Sequence, residues 1–358
     1  MGLTNLKFMC GAKYGKNIYA SCLGFNGLFE IDSENGMTTY IGSFPGESLH
    51  CSHLHRNAFI INKRVYFIPY KATNIHVYDI SRNAIDEIKM NRNGYSGGYI
   101  GEAIGDKILL IPECVGTIVE FAPYSGMMKD IVSGDTLLKK IKDAGESNYC
   151  FYRICIYNNR LILPLSKSNI VFEIIISTGM IIQHTLQVEN VWGAYKGKHN
   201  IWLLADNGNS IYSWNIESNA LNEIECQNNY TGTDRCWNWI AEINETVYLL
   251  PAYCNSIMLL KDGKFIELES FIPDDNRLQL FFAPIYEGNT IYLLPMGINE
   301  LLWIEEKTTN KTPVQKMNSE LELYKDICRA YTLHSSKQLL DENKVIGLAE
   351  YIDGLIFL

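Results

Sequence analysis

The residues of this chain that could do chemistry are scattered, and only one short segment brings several of them together. His53 and His55 alternate along a predicted strand, next to Cys51 and Arg56. Two histidines at this spacing could bind a metal ion, but a metal site needs a third ligand and an open position, which the spacing does not supply. We therefore predict no metal and no cofactor, and interpret both histidines as surface or pore-lining residues.

A larger set of aromatic, arginine and acidic residues occupies the short segments at the start of predicted strands. Tyrosine, tryptophan and arginine are the residue types that dominate binding hot spots. Loops held by a rigid scaffold are also common binding sites. The candidate binding residues are His53, His55, Arg56, Tyr99, Glu102, Tyr149, Tyr152, Arg153, Trp192, Trp237, Trp239 and Phe281. The alternative interpretation is that most of them pack inside the protein.

The sequence motifs of the common catalytic sites do not occur. The chain has no G-x-S-x-G elbow, no H-E-x-x-H helix, no phosphate-binding P-loop and no G-x-G-x-x-G after a strand. The acidic pairs Asp274-Asp275 and Glu305-Glu306 stand at turns or strand ends, where solvated carboxylates are the simplest interpretation. We therefore predict no catalytic residue.

Composition excludes several classes of protein. The 358 residues carry a net charge of −9, which disfavours nucleic acid as a partner because binding to phosphates relies on lysine and arginine. There is no apolar run of membrane-spanning length, and the first residues lack the order of an export signal. The ten cysteines are dispersed without a C-x-x-C pair, as in proteins that keep their thiols reduced. We expect a cytoplasmic protein.

The elements that position these residues come from an internal repeat. The segment Arg64–Ile80 combines an apolar run that ends in Pro69 with a second run that begins at Ile75. Six further copies follow the same register, at a period of roughly 45 residues. The seven anchor residues at the Pro69 position are Cys22, Pro69, Pro112, Pro164, Ala205, Pro251 and Pro295. A leucine or isoleucine stands six residues after every anchor.

Each repeat predicts four strands. Short apolar runs bounded by turn residues indicate strands, and proline, which has no N–H for a strand ladder, is suited to a strand end. Four strands at this period are typical of a propeller blade. The predicted fold is all-β: a seven-bladed β-propeller with four-stranded blades over residues 1–317, followed by a C-terminal helix and strand extension over 318–358. A helix is also predicted within Ser133–Ser147.

Part of the repeat resembles the kelch family. Arg56, Asn62–Tyr66, Asn74-Ile75 and Tyr78-Asp79 follow the kelch order of an arginine-led strand, a turn and two further strands. The segments Cys150–Ile174 and Trp237–Lys264 resemble it more loosely. The paired glycines and the late tryptophan of kelch repeats are missing from this chain. The resemblance implies a kelch-like propeller and leaves its function open.

Three functions remain open at this stage. The first is a non-catalytic scaffold that binds a protein, a peptide or a glycan through the central funnel of the propeller. The second is a propeller enzyme of lyase or epimerase type that acts on a carbohydrate or a cyclic substrate. The third places the partner contact in the 318–358 extension. We expect no nucleic acid and no membrane among the partners.

Overall fold

The computed structural model describes residues 6–90, 98–205, 210–226, 236–272, 279–305 and 307–314, which form seven four-stranded sheets. Blade 1 holds β1 (Phe8–Tyr14), β2 (Asn17–Cys22), β3 (Leu28–Asp32) and β4 (Thr38–Gly42). Blade 2 holds β5 (His55–Ile61), β6 (Arg64–Pro69), β7 (Ile75–Asp79) and β8 (Ala84–Ile88). Blade 3 holds β9 (Tyr99–Ile104), β10 (Lys107–Pro112), β11 (Ile118–Ala122) and β12 (Met127–Val132).

The remaining blades repeat this plan. Blade 4 holds β13 (Cys155–Tyr157), β14 (Arg160–Pro164), β15 (Ile170–Ile175) and β16 (Met180–Thr185). Blade 5 holds β17 (Val191–Lys196), β18 (Ile201–Ala205), β19 (Ser210–Asn215) and β20 (Ala220–Glu225). Blade 6 holds β21 (Trp237–Ile243), β22 (Thr246–Pro251), β23 (Ser256–Lys261) and β24 (Lys264–Ser270). Blade 7 holds β25 (Pro284–Glu287), β26 (Thr290–Leu293), β27 (Glu300–Glu305) and β28 (Thr308–Pro313).

The four strands of every blade are antiparallel and follow one another in chain order. The first strands of neighbouring blades contact one another, for example β1 with β5 and β17 with β21, so the first strands surround a central axis. The fold is a seven-bladed β-propeller, as the repeat predicts. The helix predicted in the long third repeat is α1 (Gly134–Asp143), which begins after Ser133, whose hydroxyl accepts a hydrogen bond from the Thr136 N–H.

The repeat register corresponds to one position in every blade. In six blades the anchor residue is the last residue of the second strand, and in blade 7 Pro295 lies just beyond Leu293, where β26 ends. The leucine or isoleucine six residues later lies at the start of the third strand and is buried in all seven blades. The repeat is therefore conserved along the chain for packing: the anchor ends one strand, and the aliphatic residue fills the core between blades.

The ring is closed by side chains. Phe8 and Ile18 of blade 1 share a buried cluster with Ile285 and Leu301 of blade 7. The Phe8 N–H also donates a hydrogen bond of 2.9 Å to the Pro295 carbonyl. Within the described residues, no sheet takes strands from both ends of the chain. Among the described residues, blade 7 therefore meets blade 1 by direct packing, and the two blades share no strand.

The last described strand ends at Pro313, so the predicted 318–358 extension lies outside the described residues. The division into a propeller of residues 1–317 and an extension stays a prediction. No helix among the residues that the structure describes is long and apolar enough to span a membrane.

Candidate functional site

The first strands of the blades present two ends of the axis, which have different chemistry. The connections between blades and the loops between second and third strands lie at the starts of the first strands, and we name this side the connector face. The turns between first and second strands lie at the other end, and we name that side the hairpin face. Asn158 and Asn159 form one such turn, with φ angles of 50° and 59°. This left-handed conformation is required by tight hairpin turns and is tolerated by asparagine.

Arg56 spans the axis near the connector face. Its Nη1 donates to Glu113 Oε1 at 2.5 Å, and its Nη2 donates to the Tyr152 carbonyl at 2.6 Å. Arg56 belongs to blade 2, whereas Tyr152 lies in the connection into blade 4. Residues of blades that are not neighbours can meet only at the axis. The Arg56 guanidinium is almost fully buried there and is held by a charged pair.

Arg153 spans the axis in the other direction. Its Nη2 donates to Asn238 Oδ1 at 3.0 Å and to the Phe282 carbonyl at 2.9 Å. The Asn238 amide donates to the carbonyls of Phe281 and Phe282 in turn. The Arg153 guanidinium also lies 4.4 Å from the centre of the Phe282 ring and 5.0 Å from that of Trp239. Blades 4, 6 and 7 are thereby joined at the axis.

Together these side chains close the axis at the connector face. We name the group of Arg56, Tyr152, Arg153, Asn238 and Phe282 the axial plug. Both arginines and Asn238 are buried and donate hydrogen bonds within the protein, although Arg56 Nε has no hydrogen-bond partner among the described residues. A partner on the connector face would therefore meet the outer surface of the plug, where the terminal nitrogens of Arg56 and Nη2 of Arg153 already form hydrogen bonds within the protein.

A large cavity opens at the hairpin face, on the other side of the plug. It has a volume of about 1170 Å³, in the range of ligand sites. The ends of the first strands of blades 3 to 6 line it, together with Tyr286 of blade 7. Chemically distinctive lining residues are Glu102, Cys155, Tyr195, Lys196, Trp239, Glu242 and Tyr286. A smaller cavity of about 120 Å³ continues toward blades 1 and 2 and shares Glu102, Trp239 and Tyr286.

Glu102 is the electrostatic centre of this cavity. Burial raises the pKa of its carboxyl from the usual range to about 8, and the positive charges of Arg153 and Lys196 oppose that shift. No hydrogen bond contributes to the shift among the described residues, so the carboxyl faces the cavity. Burial raises the pKa values of the Tyr286 hydroxyl and the Cys155 thiol, and the negative charge of ionised Glu102 raises both further. At neutral pH Glu102 is largely protonated and can both donate and accept a hydrogen bond.

Trp239 connects the cavity to the plug. Its Nε1 donates to the Tyr286 hydroxyl at 2.8 Å, and its ring lies edge-to-face with Tyr195 at a centroid distance of 5.2 Å. Because the Arg153 guanidinium also lies over this ring, part of the Trp239 side chain is already in contact, and the remainder lines the cavity. Tyr286 is 48% exposed and offers the more accessible aromatic surface. Tyr195 is fixed by its hydroxyl, which donates to the Asn238 carbonyl at 2.9 Å.

The structure divides the predicted binding residues into separate groups. Glu102 and Trp239 line the cavity, and Arg56, Tyr152 and Arg153 belong to the plug. The others lie in the clusters between blades, either buried or packed against them: Tyr99, Tyr149, Trp192, Trp237 and Phe281. Spacing along the sequence cannot separate these groups, because successive residues on a strand point to opposite faces and a register shift between Trp237 and Trp239 interrupts that alternation.

The two histidines are not brought together. His53 lies in the loop before β5 with a φ of 58°, and its Nδ1 pairs with the Ser52 hydroxyl. His55 is completely buried, and its Nε2 is 2.7 Å from His76 Nδ1. The described residues contain no group of three or more histidine, cysteine, aspartate or glutamate side chains that could hold a metal ion.

His55 and His76 instead form a buried polar chain between blades 1 and 2. The Pro45 carbonyl can only accept, so His76 Nε2 donates to it at 2.9 Å. His76 Nδ1 then accepts from His55 Nε2, and His55 Nδ1 accepts from the Ser21 hydroxyl at 2.8 Å. Burial lowers the pKa of both rings, which keeps them neutral as this directed chain requires. We interpret this series of hydrogen bonds between side chains as structural.

Lys196, Glu242 and Tyr286 are cavity residues that the sequence analysis missed. Each stands one or two residues before the turn that ends a first strand. Most of the predicted binding residues lie at or before the starts of these strands, whereas the cavity is formed at the strand ends. A polar residue just before the first hairpin turn of a blade is the signal that would have found them.

Comparison with known proteins gives the fold. No family model and no curated protein matches the chain. Among solved structures, it is similar to virginiamycin B lyase from Staphylococcus aureus, with a TM-score of 0.58 and 14% identity over 82% of this chain and 94% of that one. It is also similar to YCF48 from Cyanidioschyzon merolae, with a TM-score of 0.64 and 12% identity over 84% and 95% of the two chains.

A third similar structure is YCF48 bound to D1 peptide, with a TM-score of 0.61 and 10% identity over 83% of this chain and 91% of that one. Identities this low establish a shared propeller and nothing about activity. The propeller that the repeat predicts is thus confirmed, and the kelch-type repeat stays a resemblance. The neighbours include an enzyme and a peptide-bound protein, so the choice between functions depends on the site itself.

Proposed function

We propose that this protein is a binding module that holds a peptide segment of a partner protein in the cavity on the hairpin face. The single observation that carries the proposal is a cavity of about 1170 Å³, closed toward the connector face, whose lining includes the carboxyl of Glu102 with its raised pKa. The axial plug closes one end of the axis, so a ligand would enter from the hairpin face and stop at Trp239. The site we propose thus lies opposite the connector segments.

The lining suits the mixed chemistry of a peptide. Lys196 and the Tyr286 hydroxyl can donate hydrogen bonds, Glu102 and Glu242 can accept them, and the Tyr286 ring offers an apolar surface. A peptide backbone carries donors and acceptors in alternation and so needs both kinds of partner. The wide mouth between hairpin turns leaves room for the rest of the segment.

A glycan is the competing ligand of the same binding class. Sugars are commonly bound on open aromatic faces, and Trp239 is already contacted by Arg153 and Tyr195. Tyr286 is the accessible ring that remains in this part of the cavity. The partly covered Trp239 ring favours a peptide over a glycan, and soluble glycans serve as competitors in the experiment below. The fold is compatible with peptide binding, since a propeller of similar architecture is YCF48 bound to D1 peptide.

The experiment places a photo-crosslinking amino acid at Asn159, in a turn at the mouth of the cavity, and exposes the protein to native lysate. A matched variant carries it at Tyr124, which is 70% exposed on an outer turn of blade 3. We expect Asn159 to capture a defined peptide segment that Tyr124 does not capture. The captured segment is then synthesised and its affinity measured by calorimetry.

The affinity measurements distinguish the cavity from other surfaces. Tyr286→Ala is expected to lower the affinity for the synthetic peptide about 30-fold, a hot-spot effect of about 2 kcal/mol. Tyr124→Ala should leave that affinity unchanged. Equal capture at both positions, or affinity that Tyr286→Ala does not change, would contradict the proposal. Displacement of the peptide by simple glycans at lower concentration than by peptides would assign the cavity to a glycan.

An enzyme of lyase or epimerase type is the second candidate, favoured by the raised pKa of Glu102. A carboxyl with a pKa near 8 can hold a proton at neutral pH and pass it to a substrate, and the Tyr286 hydroxyl and Lys196 line the same cavity. A panel of sugars, esters and lactones tests this candidate. Turnover that Glu102→Gln abolishes would support it over the binding module.

A further inference from the structure

Two cysteine thiols meet at the rim of the axial plug. Cys114 lies in the loop between β10 and β11, and Cys150 lies in the connection between α1 and β13. Their Sγ atoms are 3.3 Å apart, although the residues are separated by 36 positions in sequence. Both residues are half-buried, so a small reagent at the connector face can reach them. This contact brings together two cysteines that look unrelated in the sequence.

The backbone around the pair is already arranged as in a cross-strand bridge. Cys114 and Cys150 form an isolated antiparallel β-bridge, and the Phe151 N–H donates to the Glu113 carbonyl at 2.7 Å. Directly opposed residues of antiparallel strands have Cα atoms about 4.5–5.5 Å apart, which lies within the range that a disulfide spans. Rotation of the two side chains is therefore enough to form a bond.

We propose that Cys114 and Cys150 are a site of reversible oxidation, where a small-molecule disulfide closes an intramolecular bond. One protein thiolate attacks the small disulfide, forms a mixed disulfide and releases one small thiolate. The second protein thiolate then attacks the protein-side sulfur and displaces the other small thiolate. The two protein sulfurs are oxidised, the small disulfide is reduced to two thiols, and the two protons pass from the cysteines to those thiols.

A disulfide between Cys114 and Cys150 would restrict the motion of the axial plug. Cys114 directly follows Glu113, and Cys150 stands two residues before Tyr152; both of these neighbours accept hydrogen bonds from Arg56. A covalent link between the two segments fixes both acceptors relative to each other. The oxidised protein therefore holds Arg56, and with it the connector side of the axis, more rigidly than the reduced protein does.

A second cysteine pair shows what distinguishes the reactive one. Cys236 and Cys254 are both buried, and Cys254 Sγ donates to the Cys236 carbonyl at 2.7 Å. The contact with Cys254 and burial raise the pKa of Cys236, and the pKa of Cys114 is raised as well, so the two pairs differ in access to solvent and not in thiolate content. A small disulfide in solution does not reach these thiols without unfolding. In the cytoplasm, where we propose the protein works, the Cys114–Cys150 pair is reduced until an oxidant appears.

The rate of closure should depend on pH. Burial and the contact with Cys150 raise the pKa of Cys114 to about 11, so little of its thiolate is present at pH 7. Attack requires the thiolate, and its fraction increases about tenfold per pH unit below the pKa. Where Cys114 is the attacking thiol, we expect closure by glutathione disulfide to be slow at pH 7 and to accelerate up to about tenfold per unit toward pH 9.

The test treats the full chain with glutathione disulfide, blocks remaining thiols with N-ethylmaleimide, and analyses unreduced proteolytic fragments by mass spectrometry. We expect one linked fragment that joins Cys114 to Cys150, that dithiothreitol separates, and that raises Tm by roughly 5 °C. Cys51→Ser, which removes another half-buried thiol, should leave the linked fragment unchanged. Cys114→Ser and Cys150→Ser should each remove both the fragment and the Tm increase.

The outcome is decisive in either direction. If both cysteines of the folded wild-type protein end as separate mixed disulfides with glutathione, or stay free at pH 9, the proposal is overturned. Linkage of Cys114 or Cys150 to any other cysteine also overturns it. Cys114→Ala provides a second variant if the serine substitution unfolds the protein, and thermal melts under reducing conditions establish that each variant is folded. None of these results depends on whether the cavity binds a peptide.

Discussion

Arg153 donates a hydrogen bond from its Nη2 to Asn238 Oδ1 at 3.0 Å and so joins blade 4 to blade 6 across the propeller axis. The same nitrogen reaches the Phe282 carbonyl of the segment that enters blade 7. Because Arg153 is only 5% exposed, its charge is stabilised by these carbonyl and amide oxygens and by the rings of Trp239 and Phe282. This contact separates the cavity of the hairpin face from the connector face.

Removal of this contact should destabilise the protein. In Arg153→Ala, Asn238 Oδ1 loses a buried partner and a void opens beside Trp239, so we expect a loss of about 3 kcal/mol in the free energy of unfolding. Urea unfolding followed by tryptophan fluorescence measures it. Arg82→Ala, at an exposed arginine that pairs with Asp79 and Asp86, is the matched substitution and should have a much smaller effect. Equal losses in the two variants would contradict an axial role for Arg153.

Acid should destabilise the protein through the buried histidine chain. His55 and His76 have lowered pKa values when folded, so below the usual pKa of about 6.5 the unfolded state binds more protons and stability falls. The loss begins near pH 6.5 and continues as the pH falls through the folded pKa values, at up to about 1.4 kcal/mol per pH unit for each ring. Thermal melts between pH 7.5 and pH 5 measure this slope.

A substitution tests whether the hydrogen-bonded pair of His55 and His76 causes this dependence of stability on pH. His76→Gln keeps a side chain that can form hydrogen bonds but cannot be protonated, so its slope should be about half that of the wild type after allowance for its lower starting stability. His199→Gln, at an exposed position, should retain the full slope. An unchanged slope in His76→Gln would show that other groups cause the acid sensitivity.

Glu102 should make the protein less stable as the pH rises. Its folded pKa of about 8 lies above the value of 4.5 for an unperturbed carboxyl, so between those values the unfolded state binds fewer protons and stability falls with increasing pH. Glu102→Gln removes this dependence, and its Tm relative to the wild type should increase from pH 5 to pH 8. Glu242→Gln, in the same cavity, is the control. A constant difference in Tm across this range would mean that Glu102 is ionised throughout.

Gly101 should not tolerate even a methyl group. A Cβ on this residue of β9 would lie 2.7 Å from the Phe59 ring and 2.8 Å from Ile68 Cγ1, both in blade 2. We expect Gly101→Ala to reduce the free energy of unfolding by about 2 kcal/mol, since the packed blades must separate slightly. Gly24→Ala, where nothing lies within 4 Å of the added atom, should be close to neutral. Chemical denaturation of the two variants, measured in parallel, checks this contrast.

The plan of the fold was readable because it repeats. Most second strands end at a proline, and an aliphatic residue follows six positions later. Both features result from local strand chemistry and core packing, and the register recurs in every blade. Closure of the ring was harder to predict. Closure depends on a buried cluster that Phe8 shares with residues nearly three hundred positions away, such as Ile285. The local spacing of residues cannot predict a cluster of this kind.

The residues that line the proposed site were only partly predictable. Glu102 and Trp239 were among the candidates and do line the cavity, but Arg56 and Arg153, of the residue type expected at binding hot spots, form the plug instead. Lys196 and Tyr286 were missed because their importance comes from the first-strand ends of several blades meeting around one axis. Amino-acid type identified residues with unusual chemistry, but it could not say whether a side chain faces the axis or the next blade.

Seven blades of four strands follow from the sequence, since periodic local signals set strand length, turns and the buried face of each unit. Which end of the axis is closed follows only from the way the blades pack. That packing also decided that Cys114 lies beside Cys150, and that the carboxyl of Glu102 faces an open cavity. Each of these depends on contacts between segments that are far apart in the chain, and the orientation of the blades relative to one another decides which side chains meet. The sequence of one repeat specifies the interior of one blade, whereas the contacts at the axis depend on all seven blades.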